Sequence, residues 1–112
     1  MIEKQDWIWH ALPGHYICAD RCIFRLTTEI GNYLISTVGE MIALTSKGEW
    51  EDIDAGRKYE TIVFKITSRC KARNCRCLFP HHDGQELDTK GYNLRREAQK
   101  GHLAMCEKWS KK

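Results

Sequence analysis

The sequence predicts an α+β fold, a small antiparallel sheet with a C-terminal helix packed on one face. Three observations carry this. Residues 22–39 alternate apolar and polar side chains about the dipeptide Gly31-Asn32, which suits a two-residue hairpin turn with Gly in the first central position. Residues 59–67, Tyr-Glu-Thr-Ile-Val-Phe-Lys-Ile-Thr, alternate with the period of a strand. Residues 93–108 place Leu94, Ala98, Gly101, Met105 and, just beyond, Trp109 on one helical stripe. With 112 residues, the chain reads as a single domain, 1–112, with a modest core.

Each element follows from local chemistry. Residues 7–17 are aromatic and apolar and are broken by Pro13-Gly14, so a short strand or extended arm precedes a turn. In the hairpin, counting outward from the turn pairs Ile30 with Tyr33, Thr28 with Ile35, Leu26 with Thr37 and Phe24 with Gly39. One face then carries Cys22, Phe24, Leu26, Ile30, Tyr33 and Ile35. The other carries Arg25, Thr27, Glu29 and Ser36, with Leu34 and Val38 as exceptions. Residues 40–57 read as a loop. On the strand at 59–67, Ile62, Phe64 and Ile66 face one side; Tyr59, Thr61, Val63 and Lys65 face the other. Residues 68–92 show no convincing period. A structureless loop longer than ~15 residues is uncommon in a compact domain unless something organises it. Asn93 suits the N-cap of the helix, and Lys108, Lys111 and Lys112 suit its C-terminal end. Gly101 in mid-helix points to a neighbouring backbone, such as the preceding loop, approaching closely.

Composition excludes some classes. No apolar run nears the ~20 residues of a membrane span, so no membrane partner is expected. The start, Met1-Ile2-Glu3-Lys4-Gln5-Asp6, has no apolar signal core, so the expected location is cytoplasmic. In a reducing compartment the six cysteines are metal ligands or buried hydrophobes rather than disulfides. A net charge of +3 does not by itself imply nucleic acid. Its distribution is more suggestive, since Arg69, Lys71, Arg73 and Arg76 share a short stretch without an acid. They are candidate contacts for phosphates, or for an acidic partner surface.

The cysteine and histidine spacing points to zinc. Cys75-Arg76-Cys77 sets two thiols one residue apart in a loop, and His102 and Cys106 lie one helical turn apart. Cys75, Cys77, His102 and Cys106 supply four ligands of the type that closes a tetrahedral structural Zn²⁺ site. Such an ion would pin the long loop to the helix. Cys70 or Cys22 is the substitute for one ligand, although Cys22 on the inward strand face reads more simply as a buried thiol. The plainer alternative is that His102 and Cys106 pack at the edge of the buried helix face and the loop thiols bind nothing. His10, His15, His81, His82 and Asp83 invite a metal-dependent hydrolase. However, adjacent side chains in an extended loop diverge, and no phosphate loop, nucleophile elbow or carboxylate pair accompanies them. A polar surface loop is expected there, and a turn or packing role for His15.

Several stretches together resemble a widespread family of small, mostly uncharacterised proteins of tailed phages and prophages. They are Trp9-His10-x-Leu12-Pro13-Gly14-His15, Cys22, Thr28-x-x-Gly31, Ser36-Thr37-Val38-Gly39, Tyr59-Glu60-Thr61-x-Val63-Phe64, Cys75-x-Cys77, Gly91-Tyr92-Asn93 and Gly101-His102-x-Ala104-Met105-Cys106-x-x-Trp109. The resemblance implies a viral accessory protein and assigns no catalytic residues. By analogy with other small phage proteins, it implies a non-enzymatic zinc protein in the cytoplasm of a bacterial host. Its partner would be a host protein or ribonucleoprotein complex, such as a CRISPR–Cas defence nuclease. The alternative is a nucleic-acid-binding zinc protein that uses the basic 69–76 loop.

Overall fold

The chain reverses at Gly31-Asn32. Gly31 takes φ 59° while Asn32 stays outside the left-handed region, as a type II′ turn requires. A computed structural model describes residues 2–16, 21–42, 50–53, 56–71, 73 and 78–112, with the backbone alone at 50 and 51. Strand β1 is Ile8–His10, β2 Cys22–Ile30, β3 Tyr33–Ile42, β4 Trp50–Glu51, β5 Tyr59–Lys65, β6 Ser68–Arg69, β7 Pro80–His81 and β8 Glu86–Tyr92. Helix α1 is Arg95–Ser110. The main sheet is antiparallel in the order β1-β2-β3-β5-β8, with β4 pairing the end of β3. Strands β6 and β7 form a separate two-stranded ribbon. No helix among the described residues is long and apolar enough to cross a membrane.

The expected hairpin register is the observed one: Ile30 opposes Tyr33, Thr28 opposes Ile35, Leu26 opposes Thr37 and Phe24 opposes Gly39. The helix covers the face expected of it. Ile30, Ile35 and Val63 pack with Met105 and Cys106, and Phe24, Tyr59 and Tyr92 pack with Ala98. At the end of β3 the alternation breaks. Glu40 takes φ 55°, a left-handed conformation that costs a non-glycine residue roughly 1–2 kcal/mol. The carboxylate, buried on the helix side, accepts a 2.7 Å hydrogen bond from Tyr59 Oη and both arms of the Arg95 guanidinium. Arg95 opens α1, so this pairing fixes where the helix starts against the sheet. The guanidinium beside Glu40 holds its carboxyl below the usual carboxylate range.

Five expectations need correction. First, residues 86–92 form an edge strand. Only Tyr92 of its seven residues is buried, and Leu87 and Tyr92 are its only large apolar side chains, so the pattern carries little period. Second, β3 runs to Ile42 and pairs with β4 in what reads as a loop. Third, the N-cap of α1 is Leu94, without a side-chain cap bond, and Asn93 precedes it. Fourth, His102 and Cys106 sit in the middle of the buried helix face, fully enclosed, rather than at its edge. Fifth, the neighbour of Gly101 is the Tyr92 ring: a Cβ there would lie 2.2 Å from Tyr92 Cε1.

The polar face of the hairpin is also covered. Thr27, Glu29 and Ser36 are buried there, beside Leu34 and Val38. What covers it is the turn after β1 and the segment around β7.

Candidate functional site

Pro13-Gly14 folds the N-terminal arm back over the face opposite α1. Gly14 approaches so closely that a Cβ would meet Ser36 Cβ at 2.8 Å, so only glycine fits. Its amide donates to Thr27 Oγ1 (3.1 Å) and to Ser36 Oγ (3.2 Å), and the next amide, His15 N, donates to Ser36 Oγ (3.1 Å). Two amides thus occupy the lone pairs of Ser36 Oγ. The serine proton is left for His15 Nδ1, 2.7 Å away. That assigns the imidazole proton to Nε2, which donates to Glu60 Oε1 at 3.3 Å.

His82 arrives from the other cover segment. Its ring lies between those of Tyr16 (centroids 4.0 Å apart, planes 5° apart) and Phe64 (3.6 Å, 9°). Nε2 donates to Gly14 O at 2.6 Å, and Nδ1 accepts from Gly84 N at 3.0 Å. Tyr16 Oη clasps the same residue, accepting from His82 N (2.8 Å) and donating to His82 O (3.1 Å). Burial pushes the His82 pKa down. The His82 ring is thus held as the Nε2–H tautomer between a backbone carbonyl and a backbone amide, while the His15 ring bridges the Ser36 and Glu60 side chains.

These groups frame a pocket of about 350 Å³. Ile62, Phe64 and Ile53 give it an apolar floor; Tyr16, His15 and His82 line one side; Glu60 and Glu86 bring carboxylates. Ser36, His15 and Glu60 have the connectivity of a hydrolytic triad. The serine is fully buried and already accepts two amides, so its hydroxyl has no path to a substrate. The constellation anchors the arm and forms a rigid wall.

A second ion pair with a buried carboxylate and a partly exposed guanidinium borders this face. Glu29 accepts both arms of Arg69, one at 3.1 Å, and meets His10 Nε2 at 3.1 Å. The Arg69 guanidinium, foremost among several partners, holds the Glu29 carboxyl below its usual range. Arg69 also donates to Leu78 O, which leaves little of it for a phosphate. Of the other basic candidates, Lys71 and Arg73 are exposed, and Arg76 lies outside the described residues.

The four proposed zinc ligands divide in the same way. Cys75 and Cys77 lie outside the described residues. On α1, His102 has both ring nitrogens engaged: Nε2 with Thr28 Oγ1 at 2.8 Å and Nδ1 with Thr37 Oγ1 at 2.6 Å. Thr37 continues to Thr61 Oγ1 at 2.6 Å, and the Cys106 thiol bonds to Thr28. Burial pushes the His102 pKa down to about 4 and the Cys106 thiol up to about 12. Among the described residues no group of three or more His, Cys, Asp or Glu side chains is placed to hold a metal ion. Cys22 is buried between strands, as expected. His81 meets Phe79 edge-on, Asp83 Oδ1 accepts from Gln85 N, and neither joins His82 in a group placed to hold a metal ion.

Of the pocket residues, the sequence singled out His15 and His82; His15 has the packing role expected of it, whereas His82 is buried rather than part of a polar surface loop. Five of the bonds that build the pocket start at main-chain amides, which carry no residue signature. The available signal was the pair Leu34 and Val38 on the face otherwise polar, which marks that face as covered. No family model, curated protein or solved structure matches this chain.

Proposed function

We propose that this protein is a non-enzymatic binding protein, and that the pocket opposite α1 is where it engages a macromolecule of its bacterial host. The observation that carries this is the pre-formed wall. Both imidazoles, the Tyr16 hydroxyl and the Gly14 turn are hydrogen-bonded before any ligand arrives, so binding there orders little. Among the described residues the hydroxyls bonded to a histidine ring, those of Ser36, Thr28 and Thr37, are all buried, which favours recognition over catalysis. The resemblance to phage accessory proteins supports a host defence complex, such as a CRISPR–Cas nuclease, as the macromolecule.

The test is affinity capture from host extract with three forms of the chain. The wild type is expected to retain a host protein. Ile53→Trp, which fills the pocket, is expected to lose it. Leu103→Glu, on the exposed side of α1, is expected to keep it. Capture that survives Ile53→Trp and fails with Leu103→Glu would move the interface to the helix.

Zinc is a separate proposal. His102 and Cys106 do share one helix face, one turn apart. An ion on His102 would replace Thr28 or Thr37 as its partner, and one on Cys106 would require the thiolate. Elemental analysis of the purified chain tests it, one zinc per chain supporting the four-ligand site.

A further inference from the structure

We propose that the pocket takes an arginine side chain presented by a protein partner, with its guanidinium at Glu60 and its stem across Ile62 and Phe64. This rests on the reading of the pocket as the binding site, and adds the chemistry of what enters it.

The charge balance argues for a cation. The chain as a whole is basic, with a net charge of +3. Yet among the described residues the pocket lining contains two carboxylates and no lysine or arginine. Among the described residues no lysine or arginine pairs with Glu60. From the N-terminal arm comes His15, which bonds Ser36 Oγ through Nδ1 and Glu60 through Nε2, leaving the second carboxylate oxygen for a ligand. From the flanking strands come Val38 and Gly91, which carry no charge, with the stem of Arg57 packed over Gly91. Glu60 has its side chain 15% exposed, enough for a ligand to reach and little enough to strengthen an ion pair. Glu86 lies across from Phe64 and adds negative potential at the far end of the pocket.

The shape argues for a long apolar stem with a planar head. Glu60, Ile62 and Phe64 alternate along one face of β5, so the floor next to the carboxylate is aliphatic and then aromatic. Four residues of strand span about 13 Å, which separates the two carboxylates too far for one head group to bridge. The head therefore pairs with Glu60, and the stem runs toward Glu86. Tyr16 stacks one ring face on His82 and is 55% exposed, so its other face is open at the pocket wall. A guanidinium can pair with a carboxylate in its plane and lie against such a ring.

The test uses capped amino acids as probes and backbone amide NMR shifts of the intact chain. N-acetyl-arginine amide is expected to saturate shifts at Glu60, His82 and Gly84, with a dissociation constant on the order of millimolar. N-acetyl-norleucine amide, which has an apolar stem and no charge, is expected to produce no saturable shift. Glu60→Gln keeps an oxygen to accept from His15 Nε2 and removes only the charge. It is expected to weaken the arginine probe about tenfold while leaving the melting temperature close to the wild type. Equal binding of norleucine, undiminished arginine binding by Glu60→Gln, or no saturable shift with arginine would each overturn the proposal. The wild-type comparison of the two probes decides even if the variant fails to fold. Host capture that is lost in Ile53→Trp while the arginine probe does not bind would remove this inference alone. Capture indifferent to the pocket would remove the binding-site reading beneath it.

Discussion

His102 Nδ1 lies 2.6 Å from Thr37 Oγ1 in the closed space between α1 and the sheet. With Thr28 on Nε2, the imidazole is fully buried and satisfied only while one threonine donates to it and the other accepts. A second ring proton would meet a hydroxyl already committed to Thr61 or Cys106. This relationship makes a pH prediction with a defined sign. The pKa of His102 is depressed from 6.5 to about 4 in the folded chain, so the unfolded chain binds the proton more readily. Stability is full above pH 6.5 and is lost as pH falls toward 4. The complete loss from this residue is about 3 kcal/mol. His82, also depressed by burial, adds loss in the same direction. Urea unfolding midpoints are expected to be flat from pH 8 to 7, by about the ordinary histidine range, and to fall steadily below it. His102→Gln is expected to lower stability at neutral pH and to flatten that decline. An unchanged profile in the variant would place the proton uptake elsewhere.

Ser36 supports the pocket by the same kind of bookkeeping in protons. Its hydroxyl takes the amides of Gly14 and His15 and gives its own hydrogen to His15. Ser36→Ala leaves His15 N without its hydroxyl acceptor and Gly14 N with only Thr27. We expect a loss of about 1–3 kcal/mol and a faster hydrogen exchange at Gly14 and His15 than at Thr61 in the sheet interior. Ser36→Thr, which keeps the hydroxyl, is expected to recover part of the protection if its methyl group fits beside Gly14. Unaltered exchange at both amides would mean the arm is held by other contacts.

The parts of this fold that were legible in the sequence are those where one face is dry and the period is strict. The hairpin register follows from Gly31 and from the apolar set of Phe24, Ile30 and Ile35, because a one-residue slip would expose all three. The helix follows from its stripe. Strand β8 was not legible, since an edge strand with one neighbour and a single buried residue, Tyr92, has no need for alternation. The pocket was not legible for a different reason. Gly14 and His82 meet across 68 residues, and their contact is a carbonyl with a ring nitrogen. Spacing rules describe side chains that share one element, and this site is built from two cover segments that share none. His102 shows the limit within an element: helical spacing correctly puts it on the face of Cys106, but the partners it finds, Thr28 and Thr37, are set by the sheet register.

Gly101 gives a prediction that runs against helix propensity. In an exposed helix interior, Gly→Ala stabilises by about 1 kcal/mol. Here the new methyl would lie 2.2 Å from both Cε1 and Oη of the buried Tyr92 ring. The ring packs against Phe24, Tyr59 and Ala98, so the methyl could be accommodated only by displacing it from that cluster. Gly101→Ala is expected to destabilise by about 1–3 kcal/mol. Pairing it with Tyr92→Leu, which removes the ring, is expected to cost less than the sum of the two single changes. Thermal melts of the four proteins in this cycle measure the coupling directly. Additive losses would show that helix and ring do not meet as described.

Cys106 offers a chemical readout of the same core. Burial raises its thiol to about 12, and a thiol in that state is a poor nucleophile at neutral pH. Alkylation of the native chain at pH 8, with site-resolved mass spectrometry, is expected to leave Cys106 unmodified over the time in which a denatured control reacts completely. Reaction should appear only as the chain opens, so its rate should rise in step with added denaturant. His102→Gln loosens the network that shares Thr28 with the thiol and is expected to speed the reaction. The result also bears on the metal. Treatment with a chelator should not change the rate if burial alone keeps the thiol quiet. A chelator that exposes Cys106 to alkylation, together with zinc released in proportion, would mean that a thiolate bound to the ion had been protecting the site, and the threonine network would then be the arrangement of the metal-free chain.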